Sequence, residues 1–290
     1  MDAIAELVRD FYNRYPFPGY DPRKYSSRAD LERQASWYAR SLDRLIPASS
    51  RILDAGCGTG QFALLLGLKD RRVLGVDFSQ ASLDKAEHLR RRLRIENTRF
   101  QQADLLDLDL PPASFDYVFC NGVLHHTPDP ERGFRNIVRT LAPHGKLVVG
   151  LYNLFGRLPL KARQRLAALP FVRNNERIRT RLILRQIVYE SEDRDKVETW
   201  YADQYLHPHE SVHTVGQTLR WFRSYGIRYL SSVPCLDLFA RHHPGDDLFA
   251  PPSRSRLRRC APALLLRQLG WIFSLDDAGG YYVLVGEKAP

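Results

Sequence analysis

The residues with the plainest chemistry are three aspartates and the glycines beside the first of them. In Arg51-Ile-Leu-Asp-Ala-Gly-Cys-Gly-Thr-Gly60 a short apolar run ends at Asp54 and gives way to a turn spaced Gly56-x-Gly58-x-Gly60. Glycine is needed where the backbone takes positive φ, or where a ligand comes so near that a Cβ would collide. A helical pattern follows at once over 61–67, and the start of a helix offers unpaired N–H groups and the positive end of its dipole. Such a turn suits a nucleotide-like ligand. Asp77 closes a second apolar run about 20 residues further on, where a doubly wound fold places a carboxylate on a ribose diol. Asp104 ends Arg99-Phe-Gln-Gln-Ala-Asp104, which reads as a third strand.

A second group of residues suits a reacting substrate. His125 and His126 follow a fourth run at 115–121, and imidazoles that titrate near neutrality suit general base work. Tyr152 and Asn153 follow a fifth run and are equally placed to bind substrate. The stretch 200–210 mixes aromatics with Asp203, Tyr205, His207, His209 and Glu210. It is too polar for core and too aromatic for a linker, and it reads as a substrate-facing loop. His-x-His with nearby carboxylates has the makings of a metal site. Pro208 and the lack of an obvious third ligand argue against one, and no metal is expected. Near the start of the chain, Tyr12, Tyr15, Phe17 and Tyr20 surround two prolines that bar a helix. They read either as an arm stapled to the core or as a lid whose aromatics line the substrate pocket.

The elements that must position these residues alternate. Strands are predicted at 51–55, 72–77, 98–103, 115–120 and 145–151, with helices at 60–68, 80–94 and 130–141 between them. That order makes an α/β fold, a mostly parallel sheet with helices on both faces, and ligands gather at the carboxyl ends of its strands. Asp54, Gly56, Asp77, Asp104, Asn121 and His125 all fall at such ends. Outside this core, 4–12 is amphipathic at helical spacing and 31–46 is a second helical pattern. Residues 225–232 and 280–286 read as the last two strands, separated by a polar, Pro-rich loop and an apolar helix around 261–272. The expected organisation is an arm at 1–48, a cofactor-binding core at 49–153, a basic helical cap at 154–215, and a return to the core at 216–290 that carries a second insertion at about 234–275. That insertion reads as a feature near the site or as an oligomer contact.

With "LDAGCGTG", "VLGVDFS", "QQADLLDL", "FDYVFCNGVLHHTPDP" and "LAPHGKLVVG" in this order and spacing, the chain resembles the class I S-adenosylmethionine-dependent methyltransferases over roughly residues 50 to 153. The resemblance implies a Rossmann-like seven-stranded sheet and S-adenosyl-L-methionine as cofactor, with S-adenosyl-L-homocysteine as product. It implies that Asp54 and the backbone over Ala55, Gly56, Cys57, Gly58 and Gly60 hold the methionyl end. Asp77 would take the ribose hydroxyls, with Phe78 and Ser79 beside the adenine. Asp104, between Ala103 and Leu105, would accept from the adenine amino group, and Asn121-Gly122 would flank the sulfonium. The "NPPY"-type signature of enzymes that methylate exocyclic amines of bases or glutamine amides is absent; Asn121-Gly-Val-Leu stands in its place. The expected reaction is methyl transfer to an oxygen, nitrogen or carbon of a small molecule, with His125 or His126 as a base where the acceptor must lose a proton.

Composition sets the alternatives. The formal net charge is +10 and arginine far outnumbers lysine. A basic balance suits an anionic partner, so a tRNA or rRNA methyltransferase that uses the basic cap is the second reading; an arginine-rich host composition explains the charge equally. The cap places Arg157, Lys161, Arg163, Arg165, Arg173, Arg177, Arg179, Arg181 and Arg185 among apolar residues, which reads as a solvated basic face or as a docking surface. A third reading is a protein that binds the cofactor without turnover. A dehydrogenase is disfavoured because the glycines are not spaced Gly-x-Gly-x-x-Gly. No run approaches the ~20 apolar residues of a membrane span. The first residues lack a basic segment followed by an apolar one, so no secretory signal is expected. The four cysteines show no metal or disulfide spacing, and reduced thiols in a cytoplasmic protein are expected.

Overall fold

The computed structural model describes residues 2–175, 178, 194–236, 245–250, 261–274 and 280–290. The strands are β1 Arg51–Ala55, β2 Arg72–Asp77, β3 Thr98–Gln102, β4 Phe115–Asn121, β5 Leu141–Tyr152, β6 Ile227–Val233 and β7 Tyr281–Lys288. They form one sheet in the order β3-β2-β1-β4-β5-β7-β6. Neighbours from β3 to β5 pair in parallel, and β7 is antiparallel to both β5 and β6. The central strands are near-continuous apolar runs because helices cover both faces; Ile52 and Leu53, adjacent in β1 and so on opposite faces, are both fully buried.

Helices α1 Ala3–Arg14, α2 Arg28–Gln34 and α3 Trp37–Leu45 precede the sheet. The crossovers are α4 Gln61–Leu66, α5 Gln80–Arg92 and α6 Pro130–Thr140. Local sequence sets their ends. Asp129 caps α6 by accepting from Arg132 N, with Pro130 at the first helical position, and Phe134, Ile137 and Val138 go into the core. Ser79 caps α5 in the same way. Beyond β5 come α7 Leu158–Ala168, α8 Pro170–Arg173, α9 Arg194–Tyr201, α10 Val215–Ser224 and α11 Ala261–Ser274.

The helical pattern over 31–46 is two helices. Ala35 is extended, and Ser36 accepts from Ala39 N to start α3 afresh. A serine that caps the next turn competes with continuation of the helix it sits in. The stretch 200–210 is not a loop at its start, since α9 runs on into a wider π turn at Ala202–Leu206. The apolar helix of the second insertion packs inward: Trp271 is buried against Tyr282 of β7, and Gln268 bonds Asn153 and Val215 N. The basic run is not one solvated face, because Arg157 is completely buried. Arg177, Arg179, Arg181, Arg185 and Cys260 lie outside the described residues, as do 237–244 and 251–260 of the Pro-rich loop. Among the described residues no helix is long and apolar enough to cross a membrane.

Candidate active site

Past the end of β1 the glycine turn is forced into shape. Gly56, Gly58 and Gly60 take φ of 82°, 52° and 83°. A Cβ on Gly56 would lie 2.2 Å from Val123 Cγ2, and one on Gly58 2.1 Å from the Phe17 carbonyl oxygen. Gly60 is the N-cap of α4. The strand-end carboxylates turn toward this loop. Asp77 accepts from Gly58 N at 2.8 Å and from Ser79 N at 2.9 Å. Asp54 is buried, and burial followed by the charge of Asp77 pushes its carboxyl up to about 7. Burial also raises Asp77, against the bonds it accepts from Ser79 and Gly58. Asp104 accepts from Leu106 N at 2.8 Å. Asn121 Oδ1 accepts from the Tyr38 and Tyr281 hydroxyls at 3.5 and 3.4 Å.

These residues border one cavity of about 710 Å³. Asp54, Gly56, Cys57 and Gly58 line it from the first strand end, and Asp77, Phe78 and Ser79 from the second. Ala103, Asp104 and Leu105 line it from the third, and Asn121 and Gly122 from the fourth. Ala55 and Gly60, though in the same loop, are not part of the lining. The arm closes the cavity. Phe17 O accepts from Thr59 N at 3.1 Å, Pro18 O from Thr59 Oγ1 at 2.7 Å, and Asn13 Oδ1 from Ser79 Oγ at 2.9 Å. Tyr12, Phe17 and Tyr20 line the cavity, whereas Tyr15 ends α1 and packs on Phe11 instead. The arm is thus fastened to the glycine turn and also contributes aromatics to the cavity lining.

At the end away from the glycine loop stand His126, Tyr152, Asp203 and Tyr12. Asp203 Oδ1 accepts from Tyr12 OH at 2.8 Å; Oδ2 accepts from Gln204 Nε2 at 2.8 Å and from Tyr152 OH at 3.3 Å. His126 Nδ1 lies 3.0 Å from the His209 carbonyl, which can only accept, so Nδ1 carries the ring proton and Nε2 keeps a lone pair. That Nε2 is 3.9 Å from Asp203 Oδ1. His207 lies against His126 with ring centroids 3.8 Å apart. Burial pushes His126 down to about 4 and His207 to about 3. His125 is fully buried behind this end, its ring 3.9 Å from that of Tyr152, and does not line the cavity. Asn153 is buried and bonds Phe155 N, Gly156 N and Gln268. Tyr205 stacks on Tyr201, and His209 serves through its backbone.

Behind Tyr152 the Arg157 guanidinium carbon is 3.6 Å from the ring centroid. Arg157 also binds both carboxylate oxygens of Glu210 and the side-chain oxygen of Gln204. Sequence reasoning passed over Arg157, Gln204, Tyr38 and Tyr281. Gln204 sits between Asp203 and Tyr205 in the stretch already singled out, and Arg157 among the basic residues of the cap. Tyr38 and Tyr281 have no such neighbours, and only the fold brings them to the cavity wall.

The profile of the methyltransferase domain family matches residues 46–204, more than half of the chain. The chain is 28% identical over 252 residues to an uncharacterized Synechococcus protein, covering 79% of this chain and 60% of that one. It is 31% identical over 157 residues to the 27-O-demethylrifamycin SV methyltransferase of Amycolatopsis mediterranei, covering 53% of this chain and 57% of that one. The chain therefore spans about three-fifths of the length of these curated relatives. The structure of the geranyl diphosphate C-methyltransferase of Streptomyces coelicolor, solved with Mg2+, geranyl diphosphate and S-adenosyl-L-homocysteine, superposes with a TM-score of 0.55 at 16% identity, over 99% of each chain. With its seven-stranded sheet, its glycine turn and three strand-end aspartates, this chain belongs to the class I S-adenosyl-L-methionine-dependent methyltransferase superfamily.

Proposed function

We propose that the protein transfers a methyl group from S-adenosyl-L-methionine to an oxygen, nitrogen or carbon of a small molecule held inside the closed cavity. The observation that carries this is the division of that cavity. Carboxylates and a glycine cradle line it from the ends of β1 to β3, and a polar cluster that includes the Asp203 carboxylate lines it from beyond β4, β5 and α9. The N-terminal arm rests on the glycine turn while its Tyr12 reaches Asp203. The relatives known by name as methyltransferases of small molecules support the same reading.

The residues fit the cofactor. Asp54 is a buried and Asp77 a half-buried carboxylate, both with raised proton affinity, so an ammonium and a ribose diol would supply the donors and positive charge they lack. The cradle at Gly56 and Gly58 has no room for a Cβ. In this reading Asp54 and the turn amides hold the methionyl end, Asp77 the ribose, Asp104 the adenine amine, and Asn121 with Gly122 the sulfur side. When bound, the cofactor supplies a methyl group already activated on sulfur, so the protein's work is to orient the acceptor and exclude water. Tyr12, Tyr152, Asp203 and His126 face the acceptor, and its proton, where one must leave, departs at the His126–Asp203 end. Residues 1–48 act as the lid, 49–153 as the cofactor core, and the segments after β5 as the cap that selects the acceptor.

The test is to incubate the protein with methyl-labelled S-adenosyl-L-methionine and host extract, then separate RNA, protein and organic-soluble material. Label is expected in the organic-soluble fraction. Label in RNA would overturn the proposal and turn attention to the arginines after β5. His126→Ala is expected to lower kcat by about 10²–10⁴-fold while S-adenosyl-L-homocysteine still binds.

A further inference from the structure

We propose that His126, Asp203 and His207 form a binding site for a divalent transition metal ion at the acceptor end of the cavity. The three come from the turn after β4, the π turn after α9, and the segment just beyond it. One ligand atom from each lies within 4.8 Å of the other two. In sequence the His207-x-His209 pair lacks a third ligand. The fold supplies it from about 80 residues upstream, and the side chain of His209 takes no part. The ion's role in the reaction rests on the methyl-transfer reading; its binding does not.

His126 and Asp203 are prepared in the way metal ligands usually are, and His207 becomes a ligand by changing tautomer. His126 donates Nδ1–H to the His209 carbonyl, which fixes the ring and leaves the Nε2 lone pair 3.9 Å from Asp203 Oδ1. A backbone carbonyl on the far nitrogen is the common second contact of a metal-bound histidine. Asp203 is held by Tyr12 on one oxygen and by Gln204 and Tyr152 on the other. The neutral His126 ring is 3.9 Å away, and Arg157, whose charge Asp203 also feels, gives hydrogen bonds to Glu210 and Gln204. A buried carboxylate is stable when a cation or a metal meets it. His207 Nε2 is buried with no hydrogen-bond partner, while its Nδ1 accepts from His209 N at 3.2 Å. Coordination through Nε2 moves the ring proton to Nδ1 and gives up that long bond, and it satisfies the orphaned atom.

Two imidazoles and one carboxylate suit Zn2+, Mn2+, Fe2+ or Co2+ and leave coordination positions open toward the cavity. Mg2+ and Ca2+ prefer oxygen donors throughout. An acceptor hydroxyl placed at such an ion would lose its proton to water more readily than one facing a neutral imidazole.

The probe is CoCl2, titrated into chelator-treated protein and followed by visible absorption and calorimetry, with MgCl2 as the hard-ion control. S-adenosyl-L-homocysteine is titrated into the same preparation. One Co2+ per chain is expected, with d–d bands and no thiolate charge-transfer band. Its affinity is expected to fall at least about tenfold in His207→Ala and also in Tyr12→Phe, which removes a hydrogen bond from Asp203 without touching the ion. The proposal is overturned by the absence of Co2+ bands in protein that binds S-adenosyl-L-homocysteine, as it would be if an ordered water sat among the three side chains. Unchanged Co2+ affinity in both variants overturns it too, as does a charge-transfer band that assigns the ion to a cysteine. Metal binding without S-adenosyl-L-homocysteine binding keeps the metal site and removes the methyltransferase reading instead.

Discussion

A carboxyl group buried without a cation holds its proton, and Asp54 does so up to about pH 7. If Asp54 binds the ammonium of the cofactor, only the ionised fraction of the free protein is competent. That fraction falls from about ten-elevenths at pH 8 to about one-eleventh at pH 6, so S-adenosyl-L-homocysteine affinity should weaken about tenfold over that interval. In Asp54→Asn the affinity should be low and the slope gone; a slope retained in the variant, measured by calorimetry at the two pH values, would remove Asp54 from this role. Asp54, Asp77 and Asp104 were legible in the sequence because each follows a predicted strand, and a parallel sheet sends every such end to one edge. Tyr38 and Tyr281 were not. One lies in a helical pattern and the other starts the last strand, and only the sheet order brings both to Asn121.

Two elements hold the site shut, each through one exchangeable residue. The arm rests on the glycine turn where a Cβ on Gly58 would strike the Phe17 carbonyl, and Gly58 is itself in the left-handed region. Gly58→Ala should cost about 1–3 kcal/mol in backbone strain alone and release the arm. Limited proteolysis should then cut within residues 1–20 faster than in the native protein; equal cleavage rates would show that the arm is held elsewhere. The segment after α9 is held by Arg157, whose side chain is fully buried on Glu210. Arg157→Ala leaves that carboxylate only the longer contact to Lys161 at 3.7 Å and should destabilise the protein by about 3 kcal/mol, read as a lower urea midpoint. The arm could be read from its proline and aromatic density. The role of Arg157 could not, because composition places it with eight other basic residues that follow it. The break between α2 and α3 was hidden for a related reason: Ser36 fits the spacing of a continuous helix as well as it fits a cap.

Across the whole molecule, buried histidines set the response to acid. Burial, followed by coupling to the titration of His126 and by the charge of Arg157, keeps His125 neutral far below the ordinary range, and burial lowers His126, His207 and His213 as well. The unfolded chain takes up protons at these positions that the folded chain refuses. Their contribution is complete above about pH 6.5 and is lost as pH falls toward the folded values, by about 2 kcal/mol each for His126 and His207 between pH 7.5 and 5. Asp54 acts in the opposite sense, since its raised value contributes stability that is lost as pH rises through about 7. His125→Phe isolates the first effect: neither ring nitrogen of His125 has a partner to lose, and the fall in urea midpoint between pH 7.5 and 5 should shrink. An unchanged fall would mean that His125 is not held neutral. At this scale the five parallel strands and their crossovers were legible from alternation and turn residues. In the insertions the apolar helix around 261–272 was legible, but the face it buries was not, because that is set by distant partners such as Tyr282 against Trp271. The central claim, that this sheet edge is an S-adenosyl-L-methionine site, is tested most directly by titrating S-adenosyl-L-homocysteine and NAD into the native protein and Asp77→Ala. The account predicts one S-adenosyl-L-homocysteine per chain, binding weakened at least about tenfold in the variant, the loss of a charged hydrogen-bond partner, and no heat with NAD. Binding of NAD, or S-adenosyl-L-homocysteine affinity indifferent to Asp77, would contradict it.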